Sequence, residues 1–350
     1  MKLVIQIPCY NEAEHLPTTL AALPRTVPGF DSVEWLVVDD GSSDGTAEVA
    51  CRHGVDHVVT LPHNRGLAHA FMTGLTTALK AGADVVVNTD ADNQYDATCI
   101  PDLVRPIVEG RAQIVVGARP IDAIAHFSKV KKLLQKLGSW AVRFVSGTDI
   151  PDAPSGFRAI HRDAAMRLNV FNSYTYTLET IIQAGRNNMA TTYVPVRVNP
   201  DLRPSRLVKS NLSYVVRSLT TIVRIFVIYK PFRFFFLLSV LVALPGLLSI
   251  MRFLSYYAAG DGSGHIQSLV IAAALIACAA VLAVGGLLAD LIAANRALLE
   301  DLRTRQLRYE IEVGLPALPK QFGLGTEKQV RRRPRYAAGK TPSVSRTKTL

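Results

Sequence analysis

Short apolar runs rich in β-branched residues recur through the first third of the chain, at Leu3–Ile7, Trp35–Val38, His57–Thr60, Asp84–Asn88 and Ile114–Val116. Each is long enough for a buried strand and is bounded by polar or glycine-bearing segments. Between them, apolar residues at helical spacing predict helices at about 14–23, 45–53, 67–81 and 98–109. Alternation of strand and helix predicts an α/β domain with a mainly parallel sheet covered on both faces. Ligands of such sheets bind outside the carboxyl ends of the strands. From 118 to 200 the pattern is less regular, with a helix at about 129–145, another over Thr177–Asn187 and a last strand over Thr191–Val198. The segment Asn199–Ser210, with Pro200 and Pro204, reads as a loop.

Beyond residue 210 the pattern changes. Asn211–Lys230 is largely apolar, with Arg217 and Arg224 seven residues apart on one helical face. This predicts an amphipathic helix in a membrane interface, with a buried helix of the soluble domain as the rival reading. Phe234–Met251 and Ile266–Ala289 carry no charge, and at 1.5 Å per residue each can cross a hydrocarbon core of about 30 Å. Pro245-Gly246 is expected to kink the first span. Basic residues flank the pair on its outer sides, so the positive-inside rule puts both termini in the cytoplasm. The chain then divides into an α/β domain (1–210), an interfacial helix (211–230), two transmembrane helices (231–295) and a cytoplasmic basic tail (296–350), read as largely disordered towards its end.

Charge fits this picture. The net charge is +11, and from Lys328 onwards there are eight Lys or Arg and no acid. A basic balance of this kind favours nucleic acid or an anionic membrane surface. The chain shows no nucleic-acid-binding motif, and the neighbouring apolar stretches favour membrane lipids as partner. Four scattered cysteines without a CxxC speak against a thiolate metal site and for a reduced compartment. The N-terminal apolar run is too short for a secretory signal, so the domain is expected in the cytoplasm.

Three polar clusters fall at predicted strand ends. Asp90-Ala91-Asp92 places two carboxylates two residues apart, a donor set for one hard cation, Mg²⁺ or Mn²⁺, with Gln94 able to add a carbonyl oxygen. A lone DxD is more often a solvated turn; its place after an apolar strand raises its weight. Asp39-Asp40, in a run continuing to Thr46, exceeds what a turn and helix cap require, and a buried acid there suits a base or ribose. Pro8, Tyr10 and Glu12 offer a stacking ring and acceptors. Arg65 and Gly66 offer a cation and a close approach for a nucleotide. Glu179 reads either as a functional acid or as a first-turn acid at a helix dipole. No Walker loop or nucleophile elbow is present.

These runs (IPCYNEAEHL, VVDDGSSDGT, NRGLAHAFMTG, NTDADNQYD, GAR at 117–119 and PSGFRAIHRDA) resemble the inverting family 2 glycosyltransferases with a GT-A fold. The resemblance spans about residues 2–210 and is closest to the dolichyl- or polyprenyl-phosphate mannosyl- and glucosyltransferases. It implies that Pro8, Tyr10, Glu12, Asp39 and Asp40, with Arg65, Gly66, Asp90 and Ala91, bind a UDP- or GDP-linked sugar donor. It implies that Asp90, Asp92 and Gln94 hold the metal and diphosphate. Arg119 would face the acceptor phosphate, as would Lys131, where the relatives carry arginine. Arg203, Ser205 and Arg206 resemble a loop closing over the phosphates, although relatives carry glycine and lysine there. The expected activity is transfer of a hexose to a polyprenyl phosphate with inversion. Two other readings stay open: another acceptor, or a membrane scaffold that binds nucleotide-sugar without turnover. A homo-oligomer is also left open.

Overall fold

The computed structural model describes residues 1–120, 129–170, 176–200, 211–260 and 266–313. Seven strands form one sheet: β1 (Lys2–Cys9), β2 (Ser32–Asp39), β3 (His57–Thr60), β4 (Val85–Asn88), β5 (Ile114–Ala118), β6 (Arg158–His161) and β7 (Thr191–Pro195). Their order is β3-β2-β1-β4-β6-β5-β7. All neighbours are parallel except β6, which runs antiparallel between β4 and β5. β6 is the strand the hydrophobic pattern does not single out, because its four residues RAIH start on an arginine and end on a histidine. The expected last strand is shorter than predicted; beyond Pro195, Val198 makes one isolated bridge to Tyr95.

Helices α1 (Leu16–Ala22), α2 (Thr46–Arg52), α3 (Leu67–Lys80) and α4 (Ile100–Val108) cover the first half of the sheet. They bury its two faces in two separate apolar clusters. One is built on Leu3, Ile5, Ile7, Val85 and Val87 against α1 and α4, the other on Val4, Leu36, Val38 and Val86 against α3. Alternating side chains of each strand therefore enter opposite cores, the expected result of the two-residue strand period. The later helices are α5 (Lys129–Ser146), α6 (Arg162–Arg167), α7 (Thr177–Arg186) and α8 (Asn211–Tyr229). The face of α5 formed by Leu133, Leu137, Trp140 and Phe144 is exposed, while Val142 and Val145 pack towards α7 and α8.

Two long helices follow, α9 (Pro231–Ala258) and α10 (Ile266–Glu312), and both are long and apolar enough to cross a membrane. α9 runs as one helix through Pro245-Gly246. The pair packs through small residues, with Ala272, Ala279 and Gly286 buried and Ser239 donating to the Ala279 carbonyl at 2.8 Å. α10 corrects the boundary expected from hydropathy. The apolar stretch ends at Ala289, but the following residues are mostly strong helix formers without Gly or Pro, and the helix continues to Glu312 instead of opening into a tail.

That extension docks on the catalytic domain. Arg296 donates to Glu179 at 2.8 Å, to Glu300 at 3.0 Å and to the Tyr229 hydroxyl at 3.4 Å. Arg303 bonds Asn169, Thr304 bonds the Met166 carbonyl, and Glu310 pairs with Lys80 at 3.3 Å. Leu307 and Ile311 complete the α3-side core. Glu179 is therefore a buried anchor for α10, beyond a first-turn acid. The remaining tail, 314–350, lies outside the described residues. Arg296→Ala is expected to destabilise the detergent-solubilised chain by about 1.5–3 kcal/mol in thermal melts, the range for hydrogen bonds to charged groups. Glu179→Gln added to it should cost little more, because both changes remove one interaction; additive losses would show that the pair is not coupled.

Candidate active site

β1 lies between β2 and β4, so the three acidic or polar clusters leave the sheet side by side at its carboxyl edge. At and after the end of β1, Pro8 and Glu12 are buried, while Tyr10 is 45% exposed. The loops after β1 and β2 are laced together. Asn11 N–H donates to Ser42 Oγ at 2.8 Å, Glu12 N–H to Thr46 Oγ1 at 3.0 Å, and Ala13 N–H to Asp44 at 3.0 Å. Much of the DDGSSDGT run therefore holds the neighbouring loop in place, and Asp44 also accepts from Thr46 N–H at the start of α2.

Asp39 and Asp40 are both buried. Asp39 accepts the Ser42 N–H at 3.0 Å, and burial pushes its carboxyl above the usual range. Asp40 accepts the N–H groups of Arg65 and Gly66, one on each oxygen and both at 2.8 Å. It thus ties the entry of α3 to the end of β2. Gly66 sits at φ 93° and ψ 154°, a conformation that residues with a Cβ avoid. The Arg65 side chain is exposed beside it. A carboxylate oxygen has two lone pairs, so this role leaves Asp40 acceptor capacity for a ligand.

Below the DxD, Asn88 closes β4 and is fully buried. Its amide donates to the Gly156 carbonyl at 2.9 Å and to the Tyr176 hydroxyl at 2.8 Å, and its oxygen accepts from Gln6 at 2.9 Å. The Tyr95 hydroxyl accepts the Gly156 N–H at 3.0 Å, and its ring stacks on Phe157. Arg158 is entirely buried, donating to the Ser155 and Ala153 carbonyls and to Thr180. Burial lowers its pKa to about 10, so it remains a cation at neutral pH. The polar residue ending an otherwise apolar VVVN run is the signal by which Asn88 could have been singled out; Tyr95 carries none.

Asp90 and Asp92 follow. Asp92 accepts the Gln94 N–H at 3.2 Å across Asn93, which adopts a left-handed φ of 55°. Thr19 grips the intervening Ala91 carbonyl at 2.7 Å, and Gln94 accepts Asn199 N–H on its own carbonyl. The Asp90 carboxylate accepts no hydrogen bond from any of the described residues. Desolvation and then the charge of Asp92 push it up to about 7, against the pull of Arg119 and Arg158. Gly156 makes room for it: a Cβ there would lie 3.0 and 3.1 Å from the two Asp90 oxygens and 2.9 Å from the Tyr176 hydroxyl. A carboxylate without a donor, desolvated beside a second one, is a donor set suited to a hard divalent cation that completes its shell with substrate phosphates. The described residues contain no cluster of three or more His, Cys, Asp or Glu able to hold a metal without such help.

Arg119, directly after β5, is paired with a buried acid. Its Nε and Nη2 fork onto Asp152 at 2.7 and 3.0 Å, its N–H adds a third bond at 3.1 Å, and Asp152 is buried. Asp152 was not legible as a site residue, since nothing local marks an acid in a DIPDAPSGF loop. Lys131 lies in α5 with its side chain outside the described part, and Arg203, Ser205 and Arg206 lie outside the described residues.

An α/β sheet reversed at one strand, with an acidic pair beyond β4 beside the loops that follow β1 and β2, defines the GT-A class of nucleotide-sugar transferases. The chain belongs to glycosyltransferase family 2: residues 4–168 match Glycosyl transferase family 2. Among its relatives, undecaprenyl-phosphate mannosyltransferase of Micrococcus luteus is 31% identical over 206 residues, covering 56% of this chain and 83% of the relative. The UDP-N-acetylglucosamine–dolichyl-phosphate N-acetylglucosaminyltransferase of Methanococcus voltae is 28% identical over 214 residues, covering 55% and 83%. Glucosyl-3-phosphoglycerate synthase of Mycobacterium tuberculosis, solved with phosphoglyceric acid, shares the fold with a TM-score of 0.50 at 21% identity, over 65% of this chain and 79% of that one.

Two outcomes test this geometry. Gly156→Ala should fold yet lower transfer by about a hundredfold, the scale of an ångström-sized displacement at a reacting centre; wild-type kinetics would remove Gly156 from the frame. The second is a pH effect. The folded pKa of Asp90 lies above its unfolded value, so its contribution to stability is full below about 4 and is lost as the pH rises through about 7. In chelator, Asp90→Asn should therefore raise the melting temperature relative to the parent more at about pH 8 than at about pH 4.

Proposed function

We propose that the chain transfers a hexose from a nucleotide-sugar to a polyprenyl phosphate, with inversion, at the cytoplasmic face of a membrane. The observation that carries this reading is an intact Asp90–Asp92 pair in one body with an apolar helical hairpin. The bridging surface supports it. The exposed Leu133, Leu137, Trp140 and Phe144 face of α5 lies next to α8, and Lys230, at the entry to α9, reaches the Phe144 carbonyl at 3.4 Å. Lys129, Lys131, Lys132 and Lys136 precede or interleave that face in sequence, the composition of a helix at an anionic lipid surface. A lipid acceptor would bring its phosphate to that height. The two named relatives act on undecaprenyl phosphate and dolichyl phosphate.

In this reading Tyr10 stacks on the base, and Asp39 and Asp40 accept from base and ribose. Asp90 and Asp92, with Gln94, would hold Mg²⁺ or Mn²⁺, which when bound neutralises the leaving diphosphate. A phosphate monoester carries about −1.5 to −2 charge at neutral pH, so the acceptor is already a nucleophile and needs no general base. Its oxygen attacks the anomeric carbon as the bond to the diphosphate oxygen breaks, and the nucleoside diphosphate leaves. One displacement turns an α-linked donor into a β-linked product. Arg119, steered by Asp152, keeps N–H groups for the acceptor phosphate, and a fork fixed in advance loses less entropy on binding.

Membranes incubated with a panel of labelled UDP- and GDP-sugars and a short-chain polyprenyl phosphate, followed by mass analysis of the lipid extract, test the reading. Asp92→Asn should cut transfer by at least about a hundredfold while the melting curve stays intact. Lipid product from no donor, or full activity of the variant, would overturn it.

A further inference from the structure

α10 has two faces, and only one is accounted for. Ala272, Ala279 and Gly286, seven residues apart, face α9, and the same line continues through Glu300 and Leu307 onto the catalytic domain, with Arg296 and Arg303 beside it. On the opposite side, Val281, Val284, Leu288, Leu291, Leu298 and Leu302 follow steps of three and four, broken only where Asn295 falls between Leu291 and Leu298, and the six are 57–72% exposed. Lipid covers the part within the span. It does not cover the part beyond Asp290, where α10 continues for about 33 Å at 1.5 Å per residue while leaning on a water-soluble domain. Leu298, Leu302 and Tyr309 there expose 61–66% of their surface.

We propose that this face is the seam of a parallel, two-stranded coiled coil with the α10 of a second copy of the chain. The period carries the assignment. Val281, Leu288 and Leu302 fall on a positions and Val284, Leu291 and Leu298 on d positions of one heptad register, the pattern that inserts knobs into a partner's holes. The a position between Leu288 and Leu302 is Asn295, exposed in the single chain. A lone Asn at an a position pairs with its symmetry mate in a parallel dimer and sets both register and strand number. Two chains inserted in one membrane with the same topology can meet only in parallel, about a two-fold axis along the membrane normal. The docked face points away from the seam, so each copy keeps its catalytic domain on the outside of the pair. The seam weakens at the next d position, where Arg305 is held by Asp301 at 2.9 Å. The parallel arrangement rests on the reading of α9 and α10 as membrane spans.

The test uses the full chain in membranes with the exposed Cys278 replaced, Cys278→Ser, and single cysteines introduced by Leu298→Cys, Leu302→Cys and Ala297→Cys. All three positions are exposed in the single chain, but only 298 and 302 lie on the seam. Mild oxidation should give a disulfide-linked dimer at 298 and 302, several times more than at 297. In nanodiscs the parent should read the mass of two chains, and the double variant Leu298→Asn, Leu302→Asn that of one. A single-chain mass for the parent, or equal cross-linking at 297, overturns the proposal. Alkaline carbonate washing separates the two readings. Chain that stays in the membrane without cross-linking at 298 and 302 overturns the seam alone, and chain released by the wash overturns the span reading and the parallel dimer with it.

Discussion

Two carboxylates stand two residues apart at the end of a strand that is buried on both sides, and most of the catalytic half is arranged around the cost of that charge. Asp90 receives no hydrogen bond from the described residues, and its carboxyl is pushed to about 7. The surroundings limit the penalty without cancelling it. Asn88, Tyr95 and Tyr176 make a neutral, fully bonded frame with Gly156. Arg158 and Arg119 supply positive potential from behind, each restrained by carbonyls or a carboxylate so that it does not collapse onto Asp90. A site balanced in this way keeps uncompensated negative charge, which the proposed cation would neutralise. Stability is given up at the place where electrostatic preorganisation is needed.

The second constraint is the rigid connection between this site and the apolar hairpin. α10 touches α3, α6 and the segment after it, α7 and α8 with one face, so the sheet and the hairpin form one body. Glu179 is the link nearest the site, three residues after Tyr176, whose hydroxyl bonds Asn88 beneath the DxD. A domain anchored through one helix end could tilt freely over a membrane. One braced along some four turns of α10 holds its active-site edge fixed relative to the apolar hairpin, which is what the proposed lipid acceptor would require.

Much of the architecture was legible from local pattern. The parallel strands β1 to β5 are each mostly apolar, because a strand covered on both faces buries nearly every side chain; Gln6 in β1 is the buried exception, bonded to Asn88. The two hydrophobic helices need no context, since their length and lack of charge are properties of the segment itself. The DxD and the Asp39-Asp40 pair also stood out, because acids at the end of an apolar strand are not required by turn chemistry. What the sequence by itself determined, then, are the elements and the chemistry at each strand end. Tertiary structure alone decided how these are used. It placed the reversed strand β6 between β4 and β5, which carries Arg158 into the core behind Asp90. It committed Arg119 to Asp152 and Asp40 to the backbone of Arg65 and Gly66. It also carried α10 past the end of its apolar stretch onto Glu179, a partner 117 residues away in the chain. Each of these joins groups far apart in sequence, and no local period or propensity encodes a contact whose two halves are specified in separate segments.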